Sequence, residues 1–150
     1  MAIAAGSDLL QTRTDELLQR ADAELVAAQF SSEAWERFYH SHLAALRGGA
    51  ALLTVRGRPG GRRPPRTVWD MLRVVAPELG LWSDCFAGGA GLRSAIEAGR
   101  FEAVSEARAE QALCAAEDFI DELRALLTSE ASTTPQGHGA ATRRLGLRAS

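Results

Sequence analysis

Apolar residues recur along this chain at the three- and four-residue spacing of amphipathic helices. The first such segment covers residues 8–29, where the apolar positions form one stripe on an otherwise charged surface. Ser7 precedes it and is a candidate N-cap. The second segment covers 33–54, has an aromatic stripe and is expected to be about 33 Å long. Ser31-Ser32 is the candidate cap of this second helix.

Shorter helical segments follow, and the most regular one comes last. Thr67 opens a capping-box motif and predicts the start of a third helix. Two short helices are predicted over 77–87 and 92–98, separated by glycines. The last helix is predicted over 106–127, with Ser105 as its cap and a continuous apolar stripe along one side. The pattern therefore predicts three long helices and a few short ones.

Composition agrees with this pattern. The chain has one Tyr, five Phe and many Ala and Leu, a balance that favours helix over sheet. A length of 150 residues is typical of one domain. We expect an all-α fold, an antiparallel up-and-down bundle of four to five helices over residues 1–129. Residues 130–150 are mostly small or polar and are predicted to be a disordered C-terminal tail.

Charge is distributed unevenly along the chain. All 17 basic residues are Arg, which is typical of high-GC bacterial genomes, and residues 37–69 contain seven of them and no acid. Residues 56–66 also hold three Pro and three Gly, so they are predicted to be a solvated loop. This arginine loop is a simple linker, a contact for an acidic protein partner or a contact for phosphates. Its candidate contact residues are Arg56, Arg58, Arg62, Arg63 and Arg66.

The sequence gives little support for a disulfide, a metal or cofactor site, a secretory signal or a membrane span. Cys85 and Cys114 are not part of a CxxC pair, so they are expected to be free, buried thiols, and no metal or cofactor is predicted. The first residues lack the basic flank and apolar run of a secretory signal. No segment approaches the roughly 18 apolar residues of a membrane span. We expect a soluble cytoplasmic protein without membrane contacts.

Three runs of sequence resemble the HEPN superfamily of small helical domains. They are FYHSHLAALRGGAALL, TVWDMLRVVAPELGLW and RFEAVSEARAEQALCAAEDFIDELRALL, and with the loop between the first two they cover about residues 30–127. The resemblance is strongest to short, stand-alone HEPN proteins of high-GC bacteria. It implies a bundle of four to five helices that forms a homodimer. Many HEPN domains are metal-independent ribonucleases with an Arg-x(4–6)-His motif, in which His is the general base and Arg steadies the phosphate.

The motif spacing occurs once, between Arg37 and His42, which are the candidate catalytic residues. Five positions along a helix rotate a side chain by about 500°, so these two lie roughly 140° apart on one rod. The family places its motif near the last helix, but residues 99–112 contain Arg100 and Arg108 and no His. The first interpretation of His42 is therefore a histidine at the edge of the core stripe, hydrogen-bonded to a neighbouring helix, and catalysis is the alternative.

Three functions remain open from the sequence. The first is a non-catalytic interaction or accessory module that binds a protein partner. The second is a ribonuclease of toxin or defence type that uses Arg37 and His42. The third is sequence-independent, salt-sensitive binding of nucleic acid through the arginine loop. The helix order and the missing His near the last helix favour the first, so we lean towards a protein that is not an enzyme.

Overall fold

The computed structural model describes residues 2–62 and 67–149, and within them the side chains of residues 5–62 and 67–132. These residues form helices, turns and no strand, which confirms the all-α class. Three-residue 3-10 turns precede α4 and α6. The helices are α1 (Ala2–Phe30), α2 (Ala34–Arg56), α3 (Val68–Val75), α4 (Gly80–Ala87), α5 (Ala90–Glu97) and α6 (Glu106–Ala149).

Two of the four predicted caps are confirmed. The Thr67 hydroxyl accepts a hydrogen bond from the Asp70 backbone N–H at 3.0 Å, and the Ser105 hydroxyl accepts one from Arg108 N–H at 3.1 Å. Each bond satisfies a backbone donor that has no partner inside the first turn of its helix. The starts of α3 and α6 are thus fixed by residues three positions apart in the sequence.

The other two predicted caps are wrong. α1 begins at Ala2, so Ser7 lies inside the helix. α2 has Glu33 at its N-cap position, without a side-chain cap bond. Ser31 instead donates its hydroxyl to the carbonyl of Ala27 at 2.7 Å, and so satisfies the end of α1. The side-chain hydrogen bond at this turn therefore caps the end of α1 and not the start of α2.

α1 and α2 form an antiparallel hairpin around this turn. Alanines with no exposed surface occur on both helices, including Ala21 and Ala28 on α1 and Ala44 on α2. Small side chains let two helices approach closely. Between Ala21 and Ala28, the carboxylate of Glu24 lies 2.6 Å from the ring of His40 and links the helices by a polar contact. His40 is half-buried in this position.

A glycine in α2 makes room for α3. A Cβ atom at Gly49 would lie 2.7 Å from Cγ1 of Val68 and 3.0 Å from Cδ1 of Leu72. Atoms do not approach that closely, so α3 packs here because residue 49 has no side chain. The low helix propensity of glycine, which costs about 1 kcal/mol, is therefore offset by the close packing of a second helix.

Residues up to Ile120 form one compact unit, and the residues from Asp121 form a second. The first unit has an aromatic cluster in which Trp69 stacks on Phe86 at 5.0 Å, and Phe119 lies 5.2 Å from Phe86. It also has an apolar cluster made of Phe38, Ile96, Val104, Ala109 and Ala112. Together these clusters hold α2 and the short helices against the first turns of α6.

The end of α6 differs from the predicted helix end at residue 127, since the backbone is helical to Ala149. Side chains from residue 133 onward lie outside the described part of the structure. Pro135 and several glycines in this segment have low helix propensity in solution. The predicted domain boundary at residue 129 and the disordered tail over 130–150 therefore stay predictions.

Candidate functional site

Arg37 is held in place by backbone and acidic groups of other elements. Its guanidinium donates to the carbonyl of Ser31 at 2.7 Å and to that of Ala28 at 3.4 Å. It also forms ion pairs with Glu110 at 2.9 Å and Glu106 at 3.6 Å. Only 17% of the side chain is exposed. Arg37 thus satisfies the carboxyl end of α1 and links it to α6.

His42 lies on another side of α2 with a different set of neighbours. It is 4% exposed. Its ring stacks on Phe38 with centroids 5.9 Å apart and meets Trp69 in an edge-to-face arrangement with centroids 6.4 Å apart. The predicted hydrogen bond to a neighbouring helix is absent, because the ring bonds to none of the other residues that the structure describes. The hydrogen-bond and ion-pair partners of Arg37 are thus different residues from the ring neighbours of His42.

A cavity of about 250 Å³ opens beside His42, between α2, the turn joining α4 to α5, and the start of α6. We call it the His42 pocket. The buried Phe38 and His42 form its floor, and more exposed residues of α4 and α6 form its mouth. Its lining residues are Phe38, His42, Cys85, Phe86, Gly89, Arg108, Gln111, Ala112 and Ala115.

Gly89 keeps the pocket open beside the imidazole. A Cβ atom at this position would lie 3.3 Å from Nδ1 of His42 and 3.3 Å from Cζ of Phe38. That is tighter than most contacts of real Cβ atoms, so any other residue would push on both rings. The run of glycines at 88, 89 and 91 is visible in the sequence, but its link to His42 comes only from the fold.

Arg108 is the arginine that the fold brings to His42. Its guanidinium carbon lies 5.1 Å from the centroid of the Phe38 ring, a cation–π geometry. Its backbone is fixed by the Ser105 cap. Among the described side chains it forms no ion pair. Sequence spacing missed this arrangement, because α2 and α6 are far apart along the chain.

The pocket keeps His42 neutral. Burial, together with the positive charges of Arg93 and Arg108, lowers the pKa of His42 from 6.5 to about 4, against a smaller opposite effect of Glu97. Arg93 and Glu97 are themselves paired at 2.8 Å. At neutral pH the imidazole therefore offers one N–H donor and one acceptor nitrogen. Only Arg108 adds an unpaired charge to the lining.

Both cysteines are free, as predicted, but the expectation that they are buried is wrong. Cys85 on α4 and Cys114 on α6 are exposed. Each lies on a helix face that points away from the buried apolar residues next to it in sequence. Cys85 lines the His42 pocket and Cys114 does not. The chain thus has one thiol in the pocket and one outside it.

The arginine loop is divided by the structure. Arg56 donates to both carboxylate oxygens of Glu78, at 2.7 and 3.2 Å, and to the carbonyl of Val75 at 2.9 Å. These hydrogen bonds lower the pKa of Glu78. Arg56 is therefore a link between α2 and the segment after α3. Arg58, which approaches the sulfur of Met71 at 3.7 Å, and Arg62 are exposed.

The remaining loop candidates, Arg63 and Arg66, lie outside the described residues.

Trp35 has a packing role, because its ring stacks on Phe101 with centroids 4.2 Å apart. Within residues 5–62 and 67–132 no group of three or more His, Cys, Asp and Glu is arranged to hold a metal ion. No helix in the described ranges has both the length and the apolar character of a membrane span.

The helices and their order define a small all-α helical bundle with a pocket between α2 and α6. Comparison with known proteins supports this class. The chain belongs to the HEPN_SAV_6107-like HEPN family, whose family model matches residues 28–124, more than half of the chain. No curated protein and no solved structure matched it. The HEPN resemblance of the sequence is confirmed, and its origin in a high-GC bacterium stays a prediction.

Proposed function

We propose that this chain is a non-catalytic HEPN module and that the His42 pocket is where it binds its partner or ligand. The carrying observation is that His42 is 4% exposed, opens onto the pocket and has no hydrogen bond to another described residue. The ring nitrogens of His42 are not among the fully buried polar atoms that lack a partner, so they are reached from the pocket. A bound group could therefore form a hydrogen bond with the imidazole.

Two features argue against catalysis. A general base works best when its pKa lies near the working pH, and the pKa of His42 is about 4. Arg37 is occupied by Ser31 and Glu110, so binding a phosphate would require breaking contacts that hold α1 to α6. The family ribonuclease chemistry would thus begin with a weak base and an unavailable cation.

Incubation of the purified full chain with labelled RNA between pH 5 and 8 tests this proposal. We expect no cleavage beyond that of a His42→Leu variant. The variant must keep the helical circular dichroism of the wild type. Cleavage by the wild type that disappears in the folded His42→Leu protein would overturn the proposal.

A ribonuclease is the second candidate function. Arg108 and His42 line one pocket, so Arg108, and not Arg37, would be the arginine that acts with His42. This activity would be lost in both Arg108→Gln and His42→Gln. It would survive in a folded Arg37→Gln protein, whereas the pairing of Arg37 with His42 predicts the reverse. Its rate would be flat above pH 5, because the base loses its proton near pH 4.

Binding of nucleic acid by the arginine loop is a separate proposal, supported by the exposure of Arg58 and Arg62. It predicts an affinity for single- or double-stranded probes that falls steeply with salt concentration. Replacing Arg62 and Arg63 with Ala should abolish it, and Arg20→Ala on α1 serves as a matched control. An affinity that does not change with salt would contradict this proposal.

A homodimer remains our proposal for the assembly, since HEPN domains often dimerise. Val26 and Phe30 are one turn apart on α1 and are 52% and 84% exposed, which leaves an apolar patch for association. Sedimentation at micromolar concentration should give the mass of two chains, and Phe30→Arg should shift it towards one. A wild-type monomer at that concentration would contradict the proposal. A cytoplasmic location stays a prediction from the sequence.

A further inference from the structure

From the lining of the His42 pocket we infer its ligand class: a single aromatic ring with a carboxylate bound by Arg108 and, opposite it, a hydroxyl bound by His42. The inference rests on the proposed function, because it specifies what the binding site takes. Three properties of the pocket lead to it: its size, the kind of surface on its walls and the position of its one unpaired charge.

Size limits the ligand to one ring with small substituents. The cavity measures about 250 Å³. A cavity of about 150 Å³ holds benzene, while drug-sized ligands occupy roughly 300 Å³ or more. A base linked to a sugar and a phosphate would leave most of its atoms outside. The pocket is therefore suited to a small molecule of about ten heavy atoms.

The walls favour a flat apolar body. Phe38 and Phe86, which are 1% and 5% exposed, present aromatic surface from α2 and α4, and Ala112 and Ala115 present methyl groups from α6. Aromatic rings pair favourably with centroids roughly 4.5–7 Å apart. Gly89 adds no side chain, so a flat group can reach the level of the imidazole. An aromatic ring fits these walls better than a polar or branched group.

Charge at the mouth selects an anion. Arg108 is half-buried and unpaired among the described side chains, and it is held above the Phe38 ring. The neighbouring Arg93 is neutralised by Glu97 at 2.8 Å. One guanidinium therefore remains for one anionic group, and its planar fork matches a carboxylate by two parallel hydrogen bonds. A monoanion satisfies this site.

The floor selects a group that can form a neutral hydrogen bond. His42 carries no charge at neutral pH, so a second carboxylate there would be buried without a counterion. A hydroxyl can donate to its free nitrogen or accept from its N–H. With the carboxylate at the mouth and the hydroxyl at the floor, the ring substituents lie opposite each other. The simplest compound of this kind is 4-hydroxybenzoate.

The two cysteines provide the assay. Cys85 lines the pocket and Cys114 is exposed outside it, so a ligand in the pocket should slow the alkylation of the first thiol only. We would measure both rates in the full chain by mass spectrometry. We expect 4-hydroxybenzoate to slow Cys85 alkylation several-fold at saturation and to leave Cys114 unchanged. 4-Hydroxybenzamide, which lacks the charge, and trans-4-hydroxycyclohexanecarboxylate, which lacks only the aromatic ring, should protect at least tenfold less well.

Variants assign the two ends of the ligand. Arg108→Gln should raise the dissociation constant of 4-hydroxybenzoate at least tenfold and leave that of the amide nearly unchanged. Arg20→Gln on α1 is the matched control and should alter neither. His42→Leu should remove the preference for 4-hydroxybenzoate over benzoate while benzoate still protects Cys85. This comparison needs only a folded variant, which the same circular dichroism measurement verifies.

Several outcomes would overturn the ligand class. These are equal protection by the acid and its amide, stronger protection by a nucleoside monophosphate, or no protection by any aromatic acid. Each leaves the non-catalytic part of the proposed function intact, because that part fails only if RNA is cleaved in a way that depends on His42. The two experiments therefore separate a wrong ligand from a wrong function.

Discussion

Acidification should weaken this fold through His42, and the effect has a defined sign. The folded pKa is about 4 and the ordinary value is 6.5. Between these values the unfolded chain binds a proton at His42 that the folded chain does not bind. The free energy of unfolding therefore rises with pH across this window. The contribution of neutral His42 is complete above pH 6.5 and is lost as the pH falls towards 4.

The magnitude follows from the same two values. Each unit of difference between the folded and unfolded pKa values corresponds to about 1.36 kcal/mol, so the full loss in the free energy of unfolding is ~3 kcal/mol. At pH 4.5 the unfolded histidine is almost entirely protonated and the folded one only in small part, so ~2.5 kcal/mol is already lost. That is a large share of the 5–15 kcal/mol that typically stabilises a domain.

Urea denaturation at pH 7.0 and 4.5 measures this loss, with a His42→Gln variant as the comparison. Carboxylates such as Glu78, whose pKa is lowered by Arg56, also weaken the fold in acid, but they do so in both proteins. The wild type should lose ~2.5 kcal/mol more than the variant between the two pH values. Equal losses would show that His42 is not held neutral by burial, and the hydrogen-bonding argument for the pocket floor would fail with it.

Three further predictions concern packing and capping, each checked by urea denaturation at pH 7. Gly49→Ala should destabilise the fold by roughly 1–3 kcal/mol, because the added methyl meets Val68. Gly91→Ala in α5 is the control, since nothing lies within 4 Å of its added methyl, and it should be neutral or stabilising. Destabilisation by both variants would refute the role of the Val68 contact. Arg37→Met should cost roughly 1–3 kcal/mol, since the carbonyl of Ser31 loses its side-chain donor and Glu110 loses its ion-pair partner. No cost would return Arg37 to the catalytic candidates. Thr67→Ala should cost about 1 kcal/mol through the lost cap, and Thr67→Ser should restore it.

The helices were predictable where local sequence decides them. Periodic apolar positions located α2 to within two residues at each end, and the caps at Thr67 and Ser105 followed from a hydroxyl three positions before a free N–H. The role of Ser31 could not be predicted in this way. Its hydroxyl can accept from an amide of the helix that follows or donate to a carbonyl of the helix that precedes it. It bonds backwards to Ala27, which only the packed hairpin decides.

The pocket was not predictable in the same way. Phe38, Cys85 and Arg108 come from three separated segments, and no periodicity links them. The Arg-x(4–6)-His spacing pointed to Arg37, but an arginine at the start of a helix hairpin is also well placed to satisfy carbonyls, and this competing role prevails. What brings Arg108 to His42 is the packing of α6 against α2, a property of the whole bundle.

The residue at position 89 sets how deeply a ligand can enter the His42 pocket. A change at this position alters the pocket without altering the fold. The backbone of Gly89 has an ordinary helical conformation with φ of −84°, so an alanine there strains no backbone. Its methyl would lie 3.3 Å from Nδ1 of His42 and from the tip of Phe38, and 3.4 Å from the carbonyl oxygen of Phe86. Related chains with Ala or Ser at this position would keep the bundle and lose the deepest part of the cavity. A single side chain thus determines whether the imidazole is reachable, and it divides such proteins into those with an open floor and those with a sealed one.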